Sequence, residues 1–237
     1  LLSKCYPASN FKIYSYEANL HMLASRLEND YFDFEEDELD ILLFLRSYET
    51  KYKKIFDLKY TDVFLIFDFE PQHPDLHFDT IQKMIRYFNQ SDERGKLFIN
   101  YPMMQSYRHL KALPDNVFLQ TRLYKQDFKH YKEIVSNESF NNDISTYDYT
   151  TFVSLAFHHL TKLLFIQNKE NRAPTMDDYD HLNYEIIFDI QYENLKNNFI
   201  WIVNTCILIL IDYKPKNFFD QITKHETSFK LPYIEQS

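Results

Sequence analysis

The chain has 237 residues, 45% of them hydrophobic and 18% aromatic, enough to fill one large core or two smaller ones and too apolar for a disordered protein. Its single glycine, Gly95, excludes a Gly-rich phosphate loop or dinucleotide fingerprint, and a net charge of -9 argues against a surface of broadly positive potential. Cys5 and Cys206 lack the paired spacing of a zinc site and read as inert thiols of a reducing compartment, so a cytoplasmic location is expected.

In chain order, "FKIYSY" at 11 to 16 predicts a short strand, and "NLHMLASRLEND" places Leu20, Leu23 and Leu27 on one helical face. The acidic run "DYFDFEEDELD" suits a solvated helix start, where carboxylates meet the positive end of the dipole, and a helix over "DELDILLFLRSYE" follows. "DVFLIF" reads as a buried strand. Phe78, Ile81, Ile85 and Phe88 then keep helical spacing, Asn89 to Gly95 turn the chain, and "KLFIN" at 96 to 100 is the next strand. A strand, helix and strand joined this closely predict a crossover with parallel strands. The first half is therefore α/β.

The second half predicts helices. Phe128, Tyr131 and Val135 share one face, as do Phe152, Leu155, His159, Leu160 and Leu163, and another helix is expected within "DHLNYEIIFDIQYENLKNNF". The linker "QNKENRAPTMDD" separates two of them. The most apolar run, "FIWIVNTCILILIDY" at 199 to 213, is shorter than the roughly 18 to 20 residues of a membrane span and is interrupted by Asn204 and Thr205, so it reads as a buried helix stopping near Pro215. His158 and His159 are adjacent, point in different directions on a helix and form no metal pair.

Parallel strands bring their carboxyl ends to one rim, so Asp68 and Asn100 should meet there, in the crevice where open α/β sheets usually bind ligands. In an extended segment, positions 68 and 70 point to one side. Asp68 and Glu70 would then converge, repelling one another unless a divalent cation such as Mg²⁺ or Mn²⁺ holds both ionised. The plainer alternative is a solvated turn. Nearby, Gln72 and His73 sit in a proline-held loop, Glu17 follows the preceding strand, and Lys51, Lys53, Lys54 and Lys59 form a local basic run just before the strand.

"VFLIFDFEPQHPD", a helix, and then "GKLFINYPMMQSYRHL" together resemble the core of Toprim-fold proteins, more narrowly the RloB-like and abortive-infection group. In that group a strand ends in an Asp-x-Asp pair and a later strand in an Asn-Pro type turn. The matching residues here are Asp68, Glu70, Asn100, Tyr101, Pro102 and Gln105, with Glu in place of the second Asp and Gln where many relatives have an acid. The resemblance implies a Toprim-like parallel sheet with flanking helices over 1 to 114 and an all-helical domain over 115 to 237. It also implies a Mg²⁺- or Mn²⁺-dependent nuclease of antiviral defence with Asp68 and Glu70 as catalytic ligands. Glu17, Asn100 and Gln72 would support the site, and the four lysines would bind nucleic acid. A partner ATPase and a homo-oligomer belong to the same expectation. The family's glutamate after its first strand has no counterpart, so a strand preceding Leu1 is expected. The alternative is a non-catalytic Toprim-like regulatory or interaction subunit.

Overall fold

The structure, a computed structural model, describes residues 2–15, 18–48, 53–74, 76–168, 170 and 172–224. A single helical turn, α1 (Leu2–Cys5), leads into an irregular segment. The strand expected at 11 to 16 is not formed over residues 11–15, where Ile13 is 89% exposed and no strand pairs alongside; Tyr16 lies outside the described residues. Helix α2 (Leu20–Asn29) begins where the Asn19 side chain accepts from the backbone N–H of Met22 at 2.8 Å, and it buries Leu20, Leu23 and Leu27 as their spacing predicts. The acidic run makes turns rather than helix, except that Asp40 accepts from the N–H groups of Leu42 and Leu43 and so starts α3 (Ile41–Tyr48). The short α4 (Lys53–Phe56) follows.

Strand β1 (Phe64–Asp68), helix α5 (Phe78–Tyr87) and strand β2 (Lys96–Asn100) form the expected unit, and the two strands pair in parallel from Phe64 opposite Lys96 to Asp68 opposite Asn100. Gly95 opens β2 with φ of +89°, a conformation that side chains resist, and a Cβ there would press on Ile41 and Leu65 at 3.3 to 3.4 Å. The sheet is mixed into a larger helical body. Among the described residues it has two strands, and a second two-stranded sheet pairs β3 (Arg122–Tyr124) antiparallel to β4 (Phe199–Trp201).

Helices α6 (Tyr131–Glu138), α7 (Tyr149–Asn168), α8 (Met176–Asp180) and α9 (Tyr184–Lys196) carry most of the second half. Residues 152 to 164 of α7 are buried on every face, making it the central helix. The run 199–213 corrects the expectation of a continuous helix and of an all-helical second half. It is β4, then a bridge in which Tyr101 and Val203 exchange two backbone bonds of 2.9 and 3.0 Å, a short 3-10 turn, and α10 (Ile209–Tyr213). Phe, Ile, Trp and Val favour strand geometry, and the Gln191 side chain both donates to and accepts from the Trp201 backbone at 2.9 Å. Pro215 stops α10 and starts α11 (Pro215–Lys224), the position where a missing N–H costs least. One hydrophobic cluster draws on both halves, with Phe69 and Phe78 of the first lying 5.9 and 5.2 Å from Phe188 of α9.

Asn204, fully buried, ties these parts together. Its backbone N–H donates to His159 Nδ1 at 3.0 Å, its Nδ2 to Met104 O at 3.0 Å and Ser106 Oγ at 3.1 Å, and its Oδ1 accepts from Ile207 N at 3.0 Å. Replacing it with leucine strands several buried partners at once, so Asn204→Leu should lower the unfolding free energy by about 2–4 kcal/mol, read by urea denaturation. A loss below about 0.5 kcal/mol would mean those groups find other partners.

The adjacent histidines are buried packing residues tied through both ring nitrogens. His158 accepts from Asp115 N at 3.1 Å and donates to Ser154 O at 2.8 Å, while His159 accepts from Asn204 N and donates to Tyr107 O at 3.1 Å. Each bonding pattern needs a neutral ring, and burial pushes His159 down to about 3 and holds His158 and His109 below the usual histidine value. Unfolded histidines titrate near about 6.5, so below that pH the unfolded chain takes up protons that the folded chain refuses. Stability should therefore fall on acidification, the melting temperature dropping by about 5 °C or more between about pH 7.5 and pH 5. A flat profile across that window would contradict the neutral assignment.

Candidate functional site

Register places Asp68 and Asn100 side by side at the carboxyl rim of the parallel pair, as their strands predict. Asp68 is half-buried, and its Oδ1 accepts from the backbone N–H of Met104 at 2.6 Å. That N–H is available because Met104 begins a 3-10 turn (Met104–Arg108) just after the cis Tyr101–Pro102 peptide, and the first donors of a turn have no partner within it. Burial raises the proton affinity of Asp68 above the ordinary carboxylate value. The Met104 N–H and Asn100 work against that rise, the Glu70 charge adds to it, and the Lys132 ammonium opposes it.

Glu70 does not continue the strand. Its φ of +48° is in the left-handed region, so the extended alternation that would aim residues 68 and 70 the same way ends at Phe69. Its carboxylate is held by Asn19, whose Nδ2 donates to Oε2 at 2.8 Å, so the residue that caps α2 also anchors the rim. The two acids nonetheless remain close enough for the charge of Glu70 to be felt at Asp68.

Asn100 is fully buried, its Oδ1 accepting from Cys206 N at 3.3 Å and its Nδ2 directed to Met104 Sδ at 3.9 Å. It lines the floor beneath Asp68 more than the open rim. Gln72 is exposed in the following loop, and His73 stacks on His21 with ring centroids 4.3 Å apart. Glu17 and Lys51 lie outside the described residues. Lys53 begins α4, and Lys54 and Lys59 are exposed ahead of β1, whereas Asp68 closes that strand, so this basic run precedes the end of the sheet opposite the rim. Cys206 is buried beneath the site with its thiol pushed up to about 12, and Cys5 up to about 11, which suits the reading of both as unreactive.

Sequence reasoning missed Met104, whose backbone donor positions Asp68, and Asn204, which holds Met104 in place. It also passed over Lys132 and the cationic segment 122–132, although the alternation of Arg, Tyr and Lys there was visible in the chain.

Among the described residues no group of three or more His, Cys, Asp or Glu side chains is placed to hold a metal ion. The residues present suit a cation of another kind. Mg²⁺ commonly takes one or two carboxylates and completes its shell with waters and substrate phosphates instead of an all-protein cage. Asp68 and Glu70 are hard oxygen donors of that sort, and on the 104–108 turn whose first N–H holds Asp68 the buried Gln105 Oε1 has no hydrogen-bond partner among the described residues. Comparison with family models, with curated proteins and with solved structures gave no match for this chain.

The Asp68 geometry makes a stability prediction that needs no ligand. Asp68→Asn keeps an acceptor for Met104 N–H while removing a half-buried charge and its repulsion from Glu70, so the variant should melt at or above the parent temperature at neutral pH. Asp68→Ala removes the acceptor and should cost about 1 kcal/mol. If asparagine proves as costly as alanine, the carboxylate itself is structural.

Proposed function

We propose that the chain is a divalent-metal-dependent nuclease, hydrolysing phosphodiester bonds with Asp68 and Glu70 as the metal-holding pair. The observation that carries this reading is the half-buried Asp68 at the end of a parallel strand, its proton affinity raised by burial and by the Glu70 charge. Such a carboxylate is ionised at a cost that a bound cation would offset. When bound there, Mg²⁺ or Mn²⁺ supplies positive charge to the phosphate and to the attacking water. The chain's own residues do the positioning: Met104 N–H fixes one oxygen of Asp68, Asn19 fixes Glu70, and Gln72 stands exposed where a substrate would pass. The resemblance, which covers roughly residues 11 to 112, extends the proposal to antiviral defence, with a partner ATPase and self-association.

A second reading has its own observation. Glu70 and Asn100 are both bonded within the fold, and among the described residues no third carboxylate joins Asp68 and Glu70, an arrangement that suits a non-catalytic regulatory or interaction module.

Calorimetric titration with MnCl₂ separates the two. The parent should bind the ion, with binding lost in Asp68→Asn and Glu70→Gln, and metal-dependent cleavage of oligonucleotides should fall to background in both. A parent that neither binds Mn²⁺ nor cleaves supports the module, and variants that cleave as fast as the parent move the chemistry away from this rim.

A further inference from the structure

The segment 122–132 sits against the current of the molecule's charge. In a chain of net charge -9 it carries Arg122, Lys125, Lys129 and Lys132 against one acid, Asp127. All four cationic side chains are exposed. None of the three lysines has an ion-pair partner among the described residues, although Lys96, Lys111 and Lys196 elsewhere each hold a carboxylate. Unpaired lysines keep their full charge for a ligand, whereas paired ones must first give up a partner.

Strand β3 gives this cationic run an aromatic face. Leu123 is buried, so Arg122 and Tyr124, two positions apart, emerge together on the opposite side. Arg122 lies 4.8 Å from the Phe199 ring and 4.4 Å from the Trp201 ring of β4, and Tyr124 is 51% exposed with its ring 6.3 Å from Phe199. The chain then runs through a 3-10 segment (Lys125–His130) into α6, placing Lys125, Lys129 and Lys132 after the platform at spacings of four and three residues. Helix α6 packs against the 104–108 turn whose first N–H holds Asp68. The run therefore starts at the exposed Tyr124 ring, beside an edge-on Phe199–Trp201 pair, and ends beside the rim.

We infer that Arg122, Tyr124, Lys125, Lys129 and Lys132 form a track for single-stranded nucleic acid that leads to Asp68. The lysines contact successive phosphates, and the Tyr124 ring, with Arg122 stacked beside it, takes an unpaired base. A duplex offers phosphates but no free base face, so the exposed tyrosine favours the single strand. Lys132 lies on α6, which packs against the 104–108 turn that holds Asp68, so the last phosphate contact falls on the side of the rim. This replaces the lysines preceding β1 as the nucleic-acid contact and rests on the reading of Asp68 and Glu70 as a phosphodiesterase site.

The test is fluorescence anisotropy with labelled single-stranded and duplex oligonucleotides in EDTA, so that binding is read apart from metal and cleavage. The parent should prefer the single strand. Reversal of Lys125, Lys129 and Lys132 to glutamate should weaken binding and reduce the slope of log Kd against log salt by about 2. Tyr124→Ala should weaken single-strand binding by about 5- to 100-fold and leave duplex binding unchanged. The milder triple replacement by alanine, with melting temperature checked against the parent, guards against an effect of charge reversal on folding. Binding unaltered by the triple reversal, equal preference for duplex, or no binding of either oligonucleotide overturns the track. Binding that follows these residues without any metal-dependent cleavage keeps the track and removes the nuclease reading.

Discussion

The hydrogen bonds of Asn204 are the constraint on which the rest of the molecule depends. One buried residue joins the central helix through its backbone N–H to His159, and through its side-chain amide the 104–106 turn at Met104 and Ser106 and its own turn at Ile207. Removing one of those partners leaves a buried polar group short of a hydrogen bond, so the three segments are held in place relative to one another. Next to it, Thr205 donates to Ile99 O at 2.9 Å and Tyr101 pairs with Val203, so the end of β2 is built on residues a hundred positions further along the chain. The candidate site inherits that rigidity. Met104 donates its N–H to Asp68 while Asn204 holds the carbonyl of the same residue.

This dependence explains which parts of the structure could be read from the sequence. The β1–α5–β2 unit was legible because its periodicities are local: Phe78, Ile81 and Ile85 repeat at helical spacing, the flanking strands are continuous in apolar residues, and a short turn with Gly95 joins them. Placing Asp68 beside Asn100 needed only parallel pairing. The run 199–213 was not legible, because an apolar stretch without period fits a buried helix and a buried strand equally well. Its conformation is decided by partners far away, Arg122 to Tyr124 on one side, Tyr101 on the other and Gln191 across its end. Asn204 and Thr205 looked like interruptions in that run. They are the reason it can pack where it does.

Electrostatics divides the surface in the same non-local way. The acids from Asp33 to Asp40 spend part of their charge on their own turns, Asp37 accepting from Asp33 N and Asp40 opening α3. The lysines before β1 looked suited to nucleic acid by nearness in sequence to Asp68, yet they precede the strand whose far end carries it. Segment 122–132 is more than fifty residues away in sequence and reaches the rim through α6 and the 104–108 turn. Sequence proximity to a catalytic candidate is a poor guide when a strand separates the two, because a strand carries the chain about 3.3 Å per residue away from its start.

Backbone strain gathers beside the rim as well. Glu70 and His77 both have positive φ, at 48° and 36°, and they bracket the loop that follows β1. A side chain in that region costs on the order of 1–3 kcal/mol and persists only where surrounding contacts dictate it. Here the contacts come from one helix. Asn19 at the start of α2 holds the Glu70 carboxylate, His21 in its first turn bonds to Phe69 O at 3.1 Å, and Glu28 in its last turn bonds to both His77 and Thr80. A loop needed only to join a strand to a helix could relax at Glu70 and let the carboxylate turn to water. Instead α2 grips it at three points along its length, and the strained residue is the acid whose charge is felt at Asp68. The simplest physical account is that the position of the Glu70 carboxylate, rather than the course of the loop, is what the fold preserves.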